Sequence, residues 1–106
     1  LLVIQKDGTR QEFSRQKILN GIVRSAEKRP VSMERLTKIA DKVEKQIRSI
    51  GESEVSSQII GKFVMNELKG VDEIAYIRFA SVYRQFKDVD AFMSELETMM
   101  KAEHKK

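Results

Sequence analysis

Cysteine is absent from the 106 residues, which excludes disulfides, thiolate zinc sites and thiol catalysis within this chain. Tryptophan is absent too, and proline and histidine occur once each. The one histidine, His104, lies in the closing tail His104-Lys105-Lys106. It is poorly placed as a general base, and one ligand does not make a metal site. No apolar stretch approaches the roughly 20 residues of a membrane span, and no signal-peptide pattern occurs. The expectation is an intracellular, cytoplasmic protein with no membrane partner. There is no nucleophile elbow, P-loop or dinucleotide fingerprint. Carboxylates are many, but they fall on outer helix faces, where ion pairs such as Glu34 with Lys38 explain them. The chain is therefore not expected to be an enzyme. It does not open with methionine, so one domain of a longer protein is expected.

What is present is charge and helical pattern. The charged fraction is 34% and the hydrophobic fraction 41%, which suits amphipathic helices around one core. Residues 1–50 hold 12 Lys and Arg against 6 Asp and Glu, while residues 51–106 hold 8 against 10. The basic first half favours an anionic partner: a nucleotide, a nucleic acid or a phosphometabolite. Solvated lysines on helix surfaces account for the charge equally well.

The first eighteen residues, LLVIQKDGTRQEFSRQKI, combine most of the turn chemistry. Leu1–Lys6 reads as a strand and Arg10–Phe13 as its return. Asp7-Gly8 between them is the signature of a two-residue type I′ hairpin turn. Ser14 is a good N-cap for a helix from Arg15 to about Lys28, whose apolar set Ile18, Leu19, Ile22, Val23 and Ala26 forms one face. Pro30 stops it. Ser32 caps a second helix, Met33 to Ser49, with Met33, Leu36, Ile39, Ala40, Val43, Ile47 and Ile50 at helical spacing. Gly51 ends it. Glu52–Val55 reads as a third, edge strand. Ser56 or Ser57 starts a third helix that buries Ile59, Ile60, Phe63, Val64 and Leu68 and ends at Gly70.

A fourth helix, Asp72 to Phe86, carries acidic residues at its positive end. Ala75, Phe79, Val82 and Phe86 form one face, with Tyr76, Ala80 and Tyr83 beside it. A fifth, Val89 to Ala102, shows Phe92, Met93, Leu96, Met99 and Met100, a stripe suited to a partner or to its own domain. The predicted fold is α+β and mostly helical: a bundle of four to five helices (14–102) capped by a short three-stranded antiparallel sheet that includes the hairpin (1–13).

Lys6, Arg10, Arg15 and Lys17 surround the hairpin and the first helix start. Orphan N–H groups and the helix dipole at Ser14–Lys17 favour a phosphate there. Arg78, Tyr83, Arg84 and Lys87 form a second cationic and aromatic group on the fourth helix, able to add contacts if that helix runs beneath the hairpin. The competing reading keeps Tyr83 in the core and Arg84 in solvent.

The opening LLVIQKDGTRQEFSRQKI resembles the ATP-cone domain, the nucleotide-sensing module at the amino end of many ribonucleotide reductases. EKRPVS (27–32) and AYIRFASVYRQFKDV (75–89) are similar to the NrdR family of bacterial transcriptional repressors. The resemblance covers almost the whole chain and implies a helical bundle with a three-stranded sheet that binds ATP or dATP with Mg²⁺. It further implies that bound nucleotide controls a homo-oligomer, and through it operator binding and repression of ribonucleotide reductase genes. Zinc belongs to the four-cysteine amino-terminal ribbon of that family, which is missing from this sequence.

By resemblance, Val3, Gln5 and Lys6 match the strand that walls the nucleotide. Gln5 stands where a lysine is common, leaving one phosphate contact missing or replaced. Lys17 matches the lysine expected on phosphate. Gln11 and Ser14 occupy the stretch near base and sugar, and Ser57 the polar helix start facing the nucleotide. Tyr83, Arg84 and Lys87 fall in the helix that closes the site. Two alternatives stay open: the ATP cone of a ribonucleotide reductase itself, and a helical nucleic-acid-binding domain whose binding falls steeply with salt.

Overall fold

Short strands and long helices divide the labour. A computed structural model describes residues 1–83, and the expected fifth helix, together with Phe86 and His104, lies outside the described residues. In chain order the elements are β1 (Leu2–Ile4), β2 (Arg10–Glu12), α1 (Arg15–Ser25), α2 (Met33–Arg48), β3 (Glu54–Ser56), α3 (Ser57–Lys69) and α4 (Glu73–Tyr83). The fold is α+β and mostly helical, as the patterning predicts.

The sheet has the order β2-β1-β3. β1 and β2 are antiparallel, with Val3 opposite Gln11. β1 and β3 are parallel, with Val3 opposite Val55. The sheet is thus mixed, not purely antiparallel as expected. The reason lies in the helices. α1 leaves from the end of β2, and α2 returns the chain to the end of the sheet where β1 begins. There the Leu2 amide donates to the Ser53 carbonyl at 2.9 Å, and β3 must run alongside β1.

The hairpin also differs from expectation. A type I′ turn needs positive φ at both central residues, but only Gly8 has it (+88°). The Gly8 amide donates to the Gln5 carbonyl at 2.9 Å, and the Gln5 amide to the Thr9 carbonyl at 2.7 Å. This is a three-residue loop: a type I turn followed by a left-handed glycine. Asp7 closes it, accepting from the Thr9 amide at 3.0 Å and the Thr9 hydroxyl at 2.7 Å. Those two bonds, the hydroxyl's first, hold the Asp7 carboxyl below its ordinary pKa.

Each of the first three helices opens on a serine cap. Ser14, Ser32 and Ser56 accept from the amides of Lys17, Arg35 and Ile59, and each cap contributes about 1 kcal/mol. α1 ends at Ser25, short of the predicted Lys28. Pro30 disfavours helical backbone at Arg29, and Lys28 turns to φ +61°. α2 buries Leu36, Ile39, Ala40, Val43 and Ile47. Met33 and Ile50, expected on that face, are exposed at its ends, and so is Ile59 in the first turn of α3.

α4 packs against both α1 and α3 through Ala75, Tyr76, Phe79 and Ala80, all buried. Val82, expected on that face, is 65% exposed. Phe79, Ile22, Ile47, Leu68, Val43 and Val64 form the fully buried centre. Truncating such an aromatic costs about 3–5 kcal/mol.

Candidate functional site

A partly open pocket of about 250 Å³ lies between the sheet and the starts of α1 and α3. Its lining is Val3, Gln5, Gln11, Glu12, Phe13, Ser14, Lys17, Ile18, Ser57 and Ile60. The strand register builds one wall: Val3 and Gln11 are paired, so their side chains share a face, and Gln5 follows two residues along it. Two helix starts build the rest. Positive dipole ends and unbonded first-turn amides favour negative charge there.

Each of those helix starts has a hydrophobic residue before the cap and another at the fourth helical position, the spacing at which such a pair sets how the chain enters a helix. Phe13 and Ile18 hold these places in α1, and Val55 and Ile60 in α3. Three of the four line the pocket. The Phe13 ring is also covered by the Arg48 guanidinium, 5.3 Å from its centroid.

Charge in the lining is sparse. Among the described residues it holds one cation, Lys17, and one carboxylate, Glu12. Lys17 is held at both ends. Its amide donates to Ser14 Oγ at 3.2 Å, and its ammonium reaches Gln11 Oε1 at 3.4 Å. Gln5 Nε2 donates to the same oxygen, also at 3.4 Å.

The neighbouring cations are engaged elsewhere. Arg10 pairs with Glu54 at 2.8 Å, and that hydrogen bond and charge raise the Arg10 pKa. Arg15 pairs with Asp41 at 2.6 Å. Arg78, read from the sequence as a further phosphate contact, instead donates to the carbonyls of Ser25 at 3.2 Å and Glu27 at 2.7 Å.

Comparison with known proteins is decisive for the family. Residues 1–89 match the ATP cone domain. The transcriptional repressor NrdR of Limosilactobacillus reuteri (strain DSM 20016) is 99% identical over 106 residues, all of this chain and 69% of that protein. Its counterpart in Limosilactobacillus fermentum is 78% identical over 103 residues, covering 97% of this chain and 68% of the relative. That of Latilactobacillus sakei is 66% identical over 103 residues, covering 97% and 66%. The chain belongs to the NrdR family, as its ATP cone.

Six residues singled out in the ATP-cone sequence come together in the pocket: Val3, Gln5, Gln11, Ser14, Lys17 and Ser57. Ser57 is the first residue of α3, while the cap itself is Ser56. Lys6 stands on the hairpin turn, outside the lining. Tyr83 is the last described residue, and Arg84 and Lys87 lie outside the described residues. Sequence reasoning missed Glu12, Phe13, Ile18 and Ile60 as pocket residues. The paired hydrophobic positions flanking Ser14 and Ser56 were the signal for three of them. Among the described residues, no group of three or more His, Cys, Asp or Glu side chains is placed to hold a metal ion. No helix there is long and apolar enough to cross a membrane.

Proposed function

We propose that this ATP cone binds ATP or dATP as its magnesium complex in the pocket between the sheet and the starts of α1 and α3. Nucleotide occupancy then sets the oligomeric state of a cytoplasmic repressor of ribonucleotide reductase genes, and thereby its hold on operator DNA. The reading involves no catalysis by this chain. The observation that carries it is the meeting of one cation, Lys17, with two helix starts and an apolar wall in a single pocket.

The donor set suits the ligand. Lys17 and the first-turn amides of α1 and α3 would hold phosphates. Val3, Ile18 and Ile60 would flank the base, with Gln11, Ser14 and Ser57 as polar partners. Magnesium would neutralise phosphate charge and take oxygen ligands, with Glu12 the carboxylate available in the lining. About 250 Å³ lies just below the roughly 300 Å³ where small-ligand pockets begin. Discriminating ATP from dATP means reading one 2′-hydroxyl, which a hydrogen-bonding site does by penalising its absence. To switch assembly, the two nucleotides must bind the two oligomeric states with different affinities.

The test is a light-scattering mass measured with ATP and with dATP, alongside the nucleotide content of the same samples. A change of mass between the two is expected. Bound nucleotide with identical masses would retain the pocket and reject the switch, and absence of both nucleotides from the protein would reject the pocket.

A further inference from the structure

The second helix sorts its charges by face. Arg35, Lys38, Lys42 and Lys45 follow one another along α2 at steps of three, four and three, which puts them in one row. All four are exposed. The carboxylates of Asp41 and Glu44 leave that row. Asp41 accepts from Arg15 of α1 at 2.6 Å. Glu44 accepts from Arg48 at 3.2 Å, whose guanidinium lies over the Phe13 ring. The row runs on the other flank, where Lys42 reaches Glu67 of α3 at 3.2 Å. Lys38 meets Glu34 at 3.4 Å with both side chains at least 75% exposed, where such a pair is worth little. Among the described residues, Arg35 and Lys45 form no ion pair.

We infer that this row is a contact surface for the phosphate backbone of duplex DNA, separate from the pocket, which no α2 residue lines. The inference rests on reading the chain as part of a DNA-binding repressor and gives that reading a phosphate-gripping helix. The row spans about 15 Å, with neighbouring cations about 4.5–6 Å apart along the axis. Each can address a different phosphate of a backbone that carries one charge per roughly 1.7 Å of duplex. The main competitor is a partner helix, because the steps are those of a coiled-coil seam. The four places hold no apolar side chain, so such a helix would bury nothing against them and would meet four like charges. A polyanion gains instead by releasing counter-ions and needs no apolar contact. Phosphate contacts position without reading sequence, so the row should grip any duplex alike.

The experiment is fluorescence anisotropy of a short labelled duplex of arbitrary sequence, titrated with the purified chain from low to moderate salt, with poly-glutamate as a competing polyanion. Three proteins are compared. The row variant carries Arg35→Gln, Lys38→Gln, Lys42→Gln and Lys45→Gln. The scattered variant loses the same charge outside the row, through Arg24→Gln, Lys28→Gln, Lys62→Gln and Lys69→Gln. All these side chains are exposed, so both variants are expected to unfold within a few degrees of the parent. The parent should bind the duplex with a log–log salt slope of about −3, that of three to four phosphate contacts. The row variant should bind about tenfold or more weakly, with the slope flattened by about one for each contact removed, and the scattered variant no more than about threefold more weakly. Equal losses in the two variants, or unchanged duplex binding in the row variant, would overturn the inference. So would a parent that binds no duplex at low salt, or one that binds poly-glutamate more tightly than the duplex, which would point to an acidic protein instead. ATP titrated calorimetrically into the same proteins should bind the parent and the row variant equally. Loss of ATP binding in the row variant alone would overturn the separation of row and pocket. Absence of ATP binding by the parent would reject the nucleotide reading, while the duplex result still decides the row.

Discussion

Two junctions of this molecule use cations in opposite ways. Where α4 meets the end of α1, the cations are consumed by the protein. Arg29 Nε reaches both oxygens of Asp72 at 3.1 and 3.0 Å, the Asp72 side chain is only 7% exposed, and Asp72 also accepts from the Ala75 amide at 2.9 Å. Arg78 from α4 closes the other side on the Ser25 and Glu27 carbonyls. At the sheet end, Lys17 touches one neutral amide oxygen at long range. On the proposed reading, the difference separates a cation that holds elements together from one kept for a ligand. Charge alone does not distinguish them, which is why Arg78 and Lys17 read alike in the sequence.

Breaking the first junction should give the largest effect. Asp72→Ala removes the α4 cap and strands Arg29, and should cost about 2–4 kcal/mol in urea unfolding. ATP affinity of the folded protein should be unchanged. Breaking the second should reverse that pattern. Lys17→Ala should weaken ATP binding by about tenfold or more, while stability shifts by no more than about 0.5 kcal/mol. Smaller again is Gly8→Ala. An added Cβ would meet nothing within 4 Å, so the cost is the left-handed backbone alone, about 1 kcal/mol, measurable by the same urea unfolding.

The smallest effect sharpens the first junction by pH. Burial pushes the Asp72 carboxyl up, but the Ala75 amide, the Arg29 hydrogen bond and charge, and the Ile74 amide together outweigh it and leave it below its ordinary value. The unfolded chain therefore takes up this proton first as pH falls. The contribution is fully present above the ordinary aspartate range and is lost as pH drops through the lower folded value. Acid titration of stability should show a flatter loss in Asp72→Asn than in the parent.

Local chemistry was legible in the sequence and tertiary direction was not. Ser14, Ser32 and Gly51 mark helix ends because capping is decided within a few residues, and the structure keeps them there. Asp7-Gly8 marked a hairpin, but the turn class depends on how the Thr9 groups bond back to Asp7. The direction of β3 depends on where α2 returns the chain, which no local pattern records. Met33 and Ile50 fit the apolar period but sit at the ends of α2, beyond the reach of its neighbours. In the pocket, Val3, Lys17 and Ser57 were legible through resemblance to the ATP cone. Phe13 and Ile18 were legible through their positions around the Ser14 cap. The hold of Gln11 on Lys17 needed coordinates, since it joins a strand to a helix across six residues.

The central claim is that Lys17 is the cation reserved for the nucleotide. Calorimetric titration of ATP with Mg²⁺ into the parent and Lys17→Ala, each shown folded by its melting temperature, tests it directly. The account predicts binding by the parent and a loss of about tenfold or more in the variant at unchanged melting temperature. Equal ATP affinity in the two proteins would contradict it.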